Sequence, residues 1–339
     1  MSSMLPDSLV SRVAANLARA PLAVFIMGPT ASGKSGLALA AAEQLPVEIL
    51  NADSVQIYRG FDLGSAKPSA EERRRVPHHL LDVAEADDPW SAWRYAEAAR
   101  RTAGECLARG RLPLFVGGSG LYFRAVEQGL SPIPPIPPEI ITRIRDEGER
   151  WGWPALHQRL QTLDPESARR LTPNDGQRIG RALSVREATG QTLASWQEEQ
   201  GAGLGMPLLK LAPDWPRDVL YARIEARLDQ MMAEGFLEEV RRLWSLGYDP
   251  ALPVMKAVGY RQLFQHVRGE IPLDRAVALA KQESRRYAKR QWTWLRREVG
   301  VVWFAGDRLD EGLERLVAFA LEESPAPALE APFADAEIP

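Results

Sequence analysis

Residues 28 to 35 read Gly28, Pro29, Thr30, Ala31, Ser32, Gly33, Lys34, Ser35, and an apolar run from Leu22 to Met27 leads into them. This spacing is a complete phosphate loop. Glycines let successive N–H groups turn inward toward phosphate oxygens, Lys34 adds a point charge, and the Ser35 hydroxyl is placed to ligate Mg²⁺. A helix starting near Lys34 adds its positive dipole end. The residues therefore predict a grip on a polyphosphate, and a bare glycine turn is the weaker alternative.

A second apolar run, Val47 to Asn51, ends in Ala52, Asp53 and Ser54, so a carboxylate emerges where ligands of open α/β sheets bind. Asp53 can serve there as a general base or a magnesium partner; the blander alternative is a turn or helix cap. A third run, Leu112 to Val116, opens into Gly117, Gly118, Ser119, Gly120, a flexible turn with one hydroxyl. No separate apolar run ends in an aspartate as a Walker-B strand would, which argues against an ATPase.

Cations and rings form the third group. Residues 285 to 297 interleave six Arg or Lys with Tyr287, Trp292 and Trp294, a composition suited to phosphates and stacked bases, so RNA or a partner protein is expected on that helix. Arg223 and Arg227 stand one turn apart beside the apolar stripe Leu220, Ile224, Leu228, Met231. Gln177, Arg178 and Arg181, and separately Lys256, Tyr260 and Arg261, are further candidates. His78 and His79 are adjacent, and on a strand would face opposite ways, so they are read as structural.

These residues need a scaffold. Leu22–Met27, Val47–Asn51, Leu112–Val116, Leu208–Leu211 and Val301–Phe304 are short apolar runs separated by helical patterns. They predict an α/β fold, a doubly wound parallel sheet of the phosphate-loop NTPase-like kind. A helical insertion, residues 139–201, is expected between a proline-rich entry at 131–138 and a glycine-rich exit at 201–205. Within it Asn174 is the expected N-cap of a helix running to Thr189, with Gly190 as its stop. The core then comprises 20–138 and 202–306, including helices from about Pro216 to Glu234 and Leu273 to Arg297. Residues 307–321 are expected to form a terminal helix and the Ala-, Pro- and acid-rich 322–339 a disordered tail.

Composition narrows the class. With 339 residues, 45% hydrophobic and 26% charged, the chain is an ordinary globular protein with no apolar run of bilayer length. The start, with Asp7 and Arg12, lacks a secretion signal, so a cytoplasmic protein is expected. One cysteine, Cys106, permits no internal disulfide or thiolate cage and is read as a small helix-face hydrophobe. The net charge of −3 conceals segregation. Residues 307–339 carry nine acidic against two basic residues, a balance of −7, which leaves +4 on residues 1–306.

Taken together the motifs resemble one family. The phosphate loop with Thr30, the Asn51–Ser54 turn, Asp62–Pro68, Pro77–Asp82, Gly117–Phe123, Asn174–Arg181, Val258–Gln262 and Lys289–Arg296 are similar, in order, to blocks of tRNA dimethylallyltransferases. That resemblance implies transfer of a dimethylallyl group from its diphosphate to N6 of adenosine 37 beside the tRNA anticodon, releasing pyrophosphate. It implies Asp53 as the catalytic carboxylate, with Lys34, Arg227 and Ser119 in the catalytic set. The donor diphosphate would lie against Gly28, Pro29, Thr30, Ala31, Ser32, Gly33, Lys34 and Ser35, with Arg223 adjacent and Mg²⁺ at Ser35. Ser119 stands where the family usually has threonine, and Ile141 near where it often has arginine. The anticodon stem-loop would meet Asp53, Ser54, Val55 and Gln56; Gln177, Arg178, Ile179, Gly180 and Arg181; Lys256, Ala257, Val258, Gly259, Tyr260 and Arg261; and Lys289, Arg290, Gln291, Trp292, Thr293, Trp294, Leu295 and Arg296. A monomer without membrane contact is expected, its insertion closing over the site when tRNA binds. Rival classes are a prenyltransferase of free adenine nucleotides, a small-molecule phosphate-loop kinase and a non-catalytic RNA-binding module.

Overall fold

The computed structural model describes residues 7–198 and 201–321 and divides the chain into two compact units, residues 127–204 and the remainder. In the larger unit six parallel strands form one sheet: β1 (Ala23–Met27), β2 (Val47–Ala52), β3 (His78–His79), β4 (Leu112–Gly117), β5 (Leu208–Asp214) and β6 (Val301–Ala305), in the order β3-β2-β4-β1-β5-β6. All residues of β1 and β2 are buried, which is why β1 reads as an unbroken apolar run; β2 buries Glu48 and Asn51 among its apolar residues as well. The order reverses between β1 and β4, whose register pairs Met27 with Gly117. The phosphate loop and the Gly117–Gly120 turn therefore leave the sheet side by side. That crevice is the expected ligand position in a doubly wound sheet.

Five strands lie where the sequence predicts them, and the sixth is new. β3 is only two residues long, too short to carry a period, and it pairs His78 and His79 with Ile49 and Leu50. Pro213 lies inside β5, beyond the expected end at Leu211, where β5 still pairs β6 but no longer β1. The helix Arg217–Ala233 has Pro216 and Glu234 as its caps, and the long helix ends at Leu295, with Arg296 capping, two residues short of expectation.

The smaller unit is all helical. Ile144, Leu156, Leu160, Ala168, Ile179, Ala182 and Leu183 form its core. The N-cap of Gly176–Thr189 is Asp175, whose carboxylate accepts from the N–H of Arg178 at 3.2 Å, and not Asn174 as the spacing predicts. Asp also favours the positive end of a helix dipole, which Asn cannot exploit. Gly190 ends the helix at φ 73°, a left-handed conformation suited to glycine. The expected tail at 322–339 lies outside the described residues.

One buried ionic knot locks the edge of the sheet. Glu48 on β2 receives Arg109 (2.7 Å), is joined by His79 Nε2 at 2.7 Å, and accepts from the Cys106 thiol at 3.3 Å. Cys106 is thus more than an apolar filler. Burial opposes ionisation of Glu48, but bonds from Arg109, His79 and Cys106 outweigh it and hold its pKa down at about 2, while burial and Glu48 push the thiol up to about 12. Glu48, His79 and Cys106 could in principle share a metal, yet Arg109 already occupies the carboxylate.

A folded-state pKa below the ordinary 4.5 means that Glu48 stabilises the fold above pH 4.5 and loses that contribution as pH falls toward 2. Glu48→Gln is expected to lower the melting temperature by about 5 °C at pH 6. It should also flatten the acid limb between pH 4.5 and 2. Scanning calorimetry across that range checks both.

Candidate active site

The phosphate loop owes its shape to a few backbone positions. Gly33 has φ 95°, which a side chain disfavours, and Ala31 is left-handed at φ 62°, a strained state for alanine. The strain is held by contacts from elsewhere in the chain. Arg223 Nε donates to the Ala31 carbonyl at 3.0 Å while its guanidinium lies over the Trp215 ring at 4.4 Å, and Trp215 Nε1 donates to the Ser32 carbonyl at 2.9 Å. Arg227 Nη1 reaches Thr30 Oγ1 at 3.5 Å. The two arginines that the sequence placed one turn apart thus both converge on the loop.

Inside the loop, Lys34 Nζ donates to the Pro29 carbonyl at 2.6 Å. Burial, then the neighbouring Arg227, lower its pKa to about 7, against a smaller opposing pull from Asp53. Burial likewise lowers the pKa of Arg227. Two crowded cations beside a carboxylate are poised for an anion. Ser32 Oγ is fully buried and has no hydrogen-bond partner among the described residues, and a Cβ on Gly28 would stand 2.8 Å from it. An orphaned hydroxyl in a crowded cradle fits a bound oxyanion.

Asp53 faces this cradle from β2. Its Oδ1 accepts from the Val55 N–H at 2.8 Å, and Oδ2 has no partner among the described residues. Asn51 holds the turn: its Oδ1 accepts from the Asp53 N–H, and its Nδ2 donates to the carbonyls of Asp53 and Leu80, each at 3.0 Å. Ser119 ties the glycine turn to the same place, accepting from the Ser54 N–H at 3.1 Å and donating its own N–H to Ala52 at 3.2 Å. The Tyr287 hydroxyl lies beside Ser119, and burial with the nearby Asp53 raises its pKa. The Asx turn makes Asp53 a cap at one oxygen. The other oxygen remains for chemistry.

One cavity of about 1290 Å³ takes in Thr30, Lys34, Ser35, Asp53, Arg227 and Tyr287 together. Ser54, Val55, Gln56, Arg290, Gln291 and the stretch Lys256 to Tyr260 also line it. Its far rim is a polar loop held from below. Glu239 accepts from the N–H groups of Leu63 (2.7 Å) and Gly64 (3.3 Å), and from Tyr260 Oη at 2.5 Å. Lys67 donates to Asp82 at 2.6 Å, Tyr58 O at 2.7 Å and Asp62 at 2.8 Å. The Ser35 hydroxyl and the Asp53 carboxylate are among the hard oxygen donors lining this cavity, of the kind that could hold a magnesium ion.

Several residues of the expected RNA-contacting stretches face inward instead. Ile179, Tyr260, Gln291 and Leu295 are buried. Trp292 packs on Leu220 and Ile224, and Trp294 covers Gly120 so closely that a Cβ there would be 2.5 Å from the ring. The two tryptophans are therefore packing residues rather than free stacking platforms. Lys289, Arg290, Thr293 and Arg296 are exposed on the same helix, as are Lys256 and Arg261, while Gln177, Arg178 and Arg181 are exposed on the helical unit. Gln291, Tyr287 and Asn51 act in the site in ways that sequence reading did not assign. The signal existed for two of them: Tyr287, Gln291 and Leu295 repeat every four residues, the period of an inward helical stripe.

Comparison with known proteins agrees with this geometry. The model of the IPP transferase family matches residues 56–298, and that of isopentenyl transferases matches residues 22–84. A tRNA dimethylallyltransferase of Magnetococcus marinus is 51% identical over 284 residues, covering 82% of this chain and 93% of the relative. One from Geobacter metallireducens is 47% identical over 281 residues, covering 83% and 91%. The crystal structure of a tRNA isopentenylpyrophosphate transferase from Bacillus halodurans superposes with a TM-score of 0.66 at 35% identity, covering 89% of this chain and 97% of the other.

Proposed function

The chain belongs to the IPP transferase family, and from that premise we propose that it transfers a dimethylallyl group from dimethylallyl diphosphate to N6 of adenosine 37 in tRNA, releasing pyrophosphate. The observation that carries this reading is the meeting of an anion cradle and a half-free carboxylate in one cavity too large for a nucleotide phosphate alone. Heterolysis of an allylic C–O bond needs its departing charge neutralised. Lys34, Arg227 and the loop amides supply that neutralisation, and Mg²⁺ held by Ser35 would add to it when bound.

Adenine N6 is a poor nucleophile because its lone pair is shared with the ring. It attacks C1 of the prenyl group as the electrons of the C1–O bond leave with diphosphate, and the N6 proton passes to Asp53 Oδ2. The base must leave its stack to reach the cavity, so RNA-binding energy from exposed cations offsets the unstacking. No described helix is long and apolar enough to cross a membrane, and the proposed working form is a monomer in the cytoplasm. Kinase chemistry would need an adenine pocket and γ-phosphate machinery, for which the motifs offer no residues.

The test is incubation with unmodified tRNA and labelled dimethylallyl diphosphate, with ATP as a competing donor. Label in N6-isopentenyladenosine supports the reading; label on free nucleotides alone, or phosphate transfer from ATP, overturns it. A second outcome concerns the RNA surface. Lys289→Ala with Arg290→Ala is expected to weaken tRNA binding and reduce the slope of log affinity against log salt by about 2. Filter binding between 50 and 200 mM salt reads it, and an unchanged slope removes that helix from the RNA interface.

A further inference from the structure

The long helix that carries Lys289 and Arg290 on its exposed face carries Gln291 on its buried one. Gln291 Oε1 accepts from the Thr30 N–H at 3.0 Å, and Nε2 donates to the Gly118 carbonyl at 3.0 Å, with the residue only 4% exposed. We propose that Gln291 is a positioning residue that clamps the phosphate loop to the glycine turn, making the RNA-facing helix also the strut of the donor cradle. The proposal rests on the reading that the loop holds the donor's diphosphate.

The chemistry of the clamp is specific to a primary amide. One buried group must accept from a main-chain N–H and another must donate to a main-chain carbonyl, and glutamine offers both on a single side chain. A carboxylate lacks the donor, and a thioether lacks it too and accepts only weakly. Packing leaves no slack: a Cβ on Gly118 would stand 2.1 Å from Gln291 Nε2 and 3.0 Å from the Gly28 carbonyl. Gly28 opens the phosphate loop, so the loop, the glycine turn and the helix meet at this point.

The clamped residue matters for the donor. Thr30 also meets Arg227, and it precedes Ala31, whose left-handed backbone persists only while its surroundings hold it. Gln291 grips the chain on one side of that strained residue, through Thr30 N–H, and Arg223 grips Ala31's own carbonyl. Released from Gln291, the loop relaxes from the shape that aims its amides at phosphate, while Lys289 and Arg290 keep their exposed positions. Donor affinity then falls and RNA affinity does not.

Two uncharged variants test this by different routes. Gln291→Met keeps the length of the side chain and removes both hydrogen bonds; Gly118→Ala keeps Gln291 and displaces it sterically. Each is expected to weaken inorganic pyrophosphate binding by calorimetry, and to raise KM for dimethylallyl diphosphate, at least tenfold. The value of kcat should fall as well, because the same loop amides neutralise the departing diphosphate, while the tRNA Kd stays within twofold. A fall in melting temperature with pyrophosphate affinity and donor KM unchanged overturns the clamp, as does loss of tRNA affinity with pyrophosphate binding intact. If the parent protein binds no pyrophosphate, or binds it equally well as Lys34→Met, the underlying donor-site reading fails, and the clamp with it. Lys34-dependent binding that both variants leave untouched overturns the clamp alone.

Discussion

Asp53→Ala is expected to cut turnover about 10³-fold while leaving tRNA affinity within a factor of about two and tightening pyrophosphate binding. The three outcomes follow from one arrangement. Asp53 Oδ1 is committed to the Val55 N–H, so the carboxylate cannot swing, and Oδ2 is the acceptor available to a proton leaving N6. Without it the attacking amine has no positioned acceptor for its proton, and the rate falls by the whole benefit of a positioned base. The same carboxylate contributes negative potential at Lys34 and Arg227. Its removal makes the cradle more positive, so an anion binds better as chemistry worsens. Single-turnover rates with prebound tRNA, together with pyrophosphate calorimetry, separate these effects. Turnover within tenfold of the parent would remove Asp53 from the proton transfer.

Much of this site is legible because phosphate recognition constrains the backbone, and backbone constraints leave local signatures. Gly33 at φ 95° and the strand before Gly28 are readable from eight residues and their flanks. Asp53 is readable because a carboxylate at the end of a buried strand has few purposes. The long helix is a harder case. Its composition counts six cations and three rings without saying which face each occupies, and rings among cations suggest base stacking. In the fold the inward stripe takes Tyr287, Gln291 and Leu295, the tryptophans cover Gly120 and the Leu220–Ile224 face, and Lys289, Arg290 and Arg296 remain outside. Gln291 in particular gives no local cue, since its partners lie 261 and 173 residues away. β3 escapes for a different reason: two residues are too few for any period, and tertiary pairing with Ile49 and Leu50 creates the strand.

Binding of pyrophosphate at pH 8 is expected to draw protons into the protein at Lys34, and to draw fewer at pH 6. The lysine rests with a pKa lowered to about 7 by burial and by Arg227, its Nζ turned back onto the Pro29 carbonyl. It is thus mostly neutral at pH 8. A diphosphate in the cradle reverses the balance, because several negative oxygens within reach favour the ammonium and raise its pKa. Pyrophosphate titrates too, so the diagnostic quantity is the difference between the parent and Lys34→Met, measured by calorimetry in buffers of unlike ionisation enthalpy. Lys34→Met should also lower kcat/KM for the donor by about 10²- to 10³-fold, the usual cost of losing one charged group from a leaving-group site. Linkage to folding has a definite sign. Between pH 7 and 10.5 the unfolded chain binds more protons at this lysine than the folded one, so its contribution to stability rises with pH across that window, and Lys34→Met abolishes the rise. Equal proton uptake by the parent and by Lys34→Met at pH 8 would mean that the lysine is charged before the diphosphate arrives, and that the cradle is held open by Arg227 and Arg223 without it.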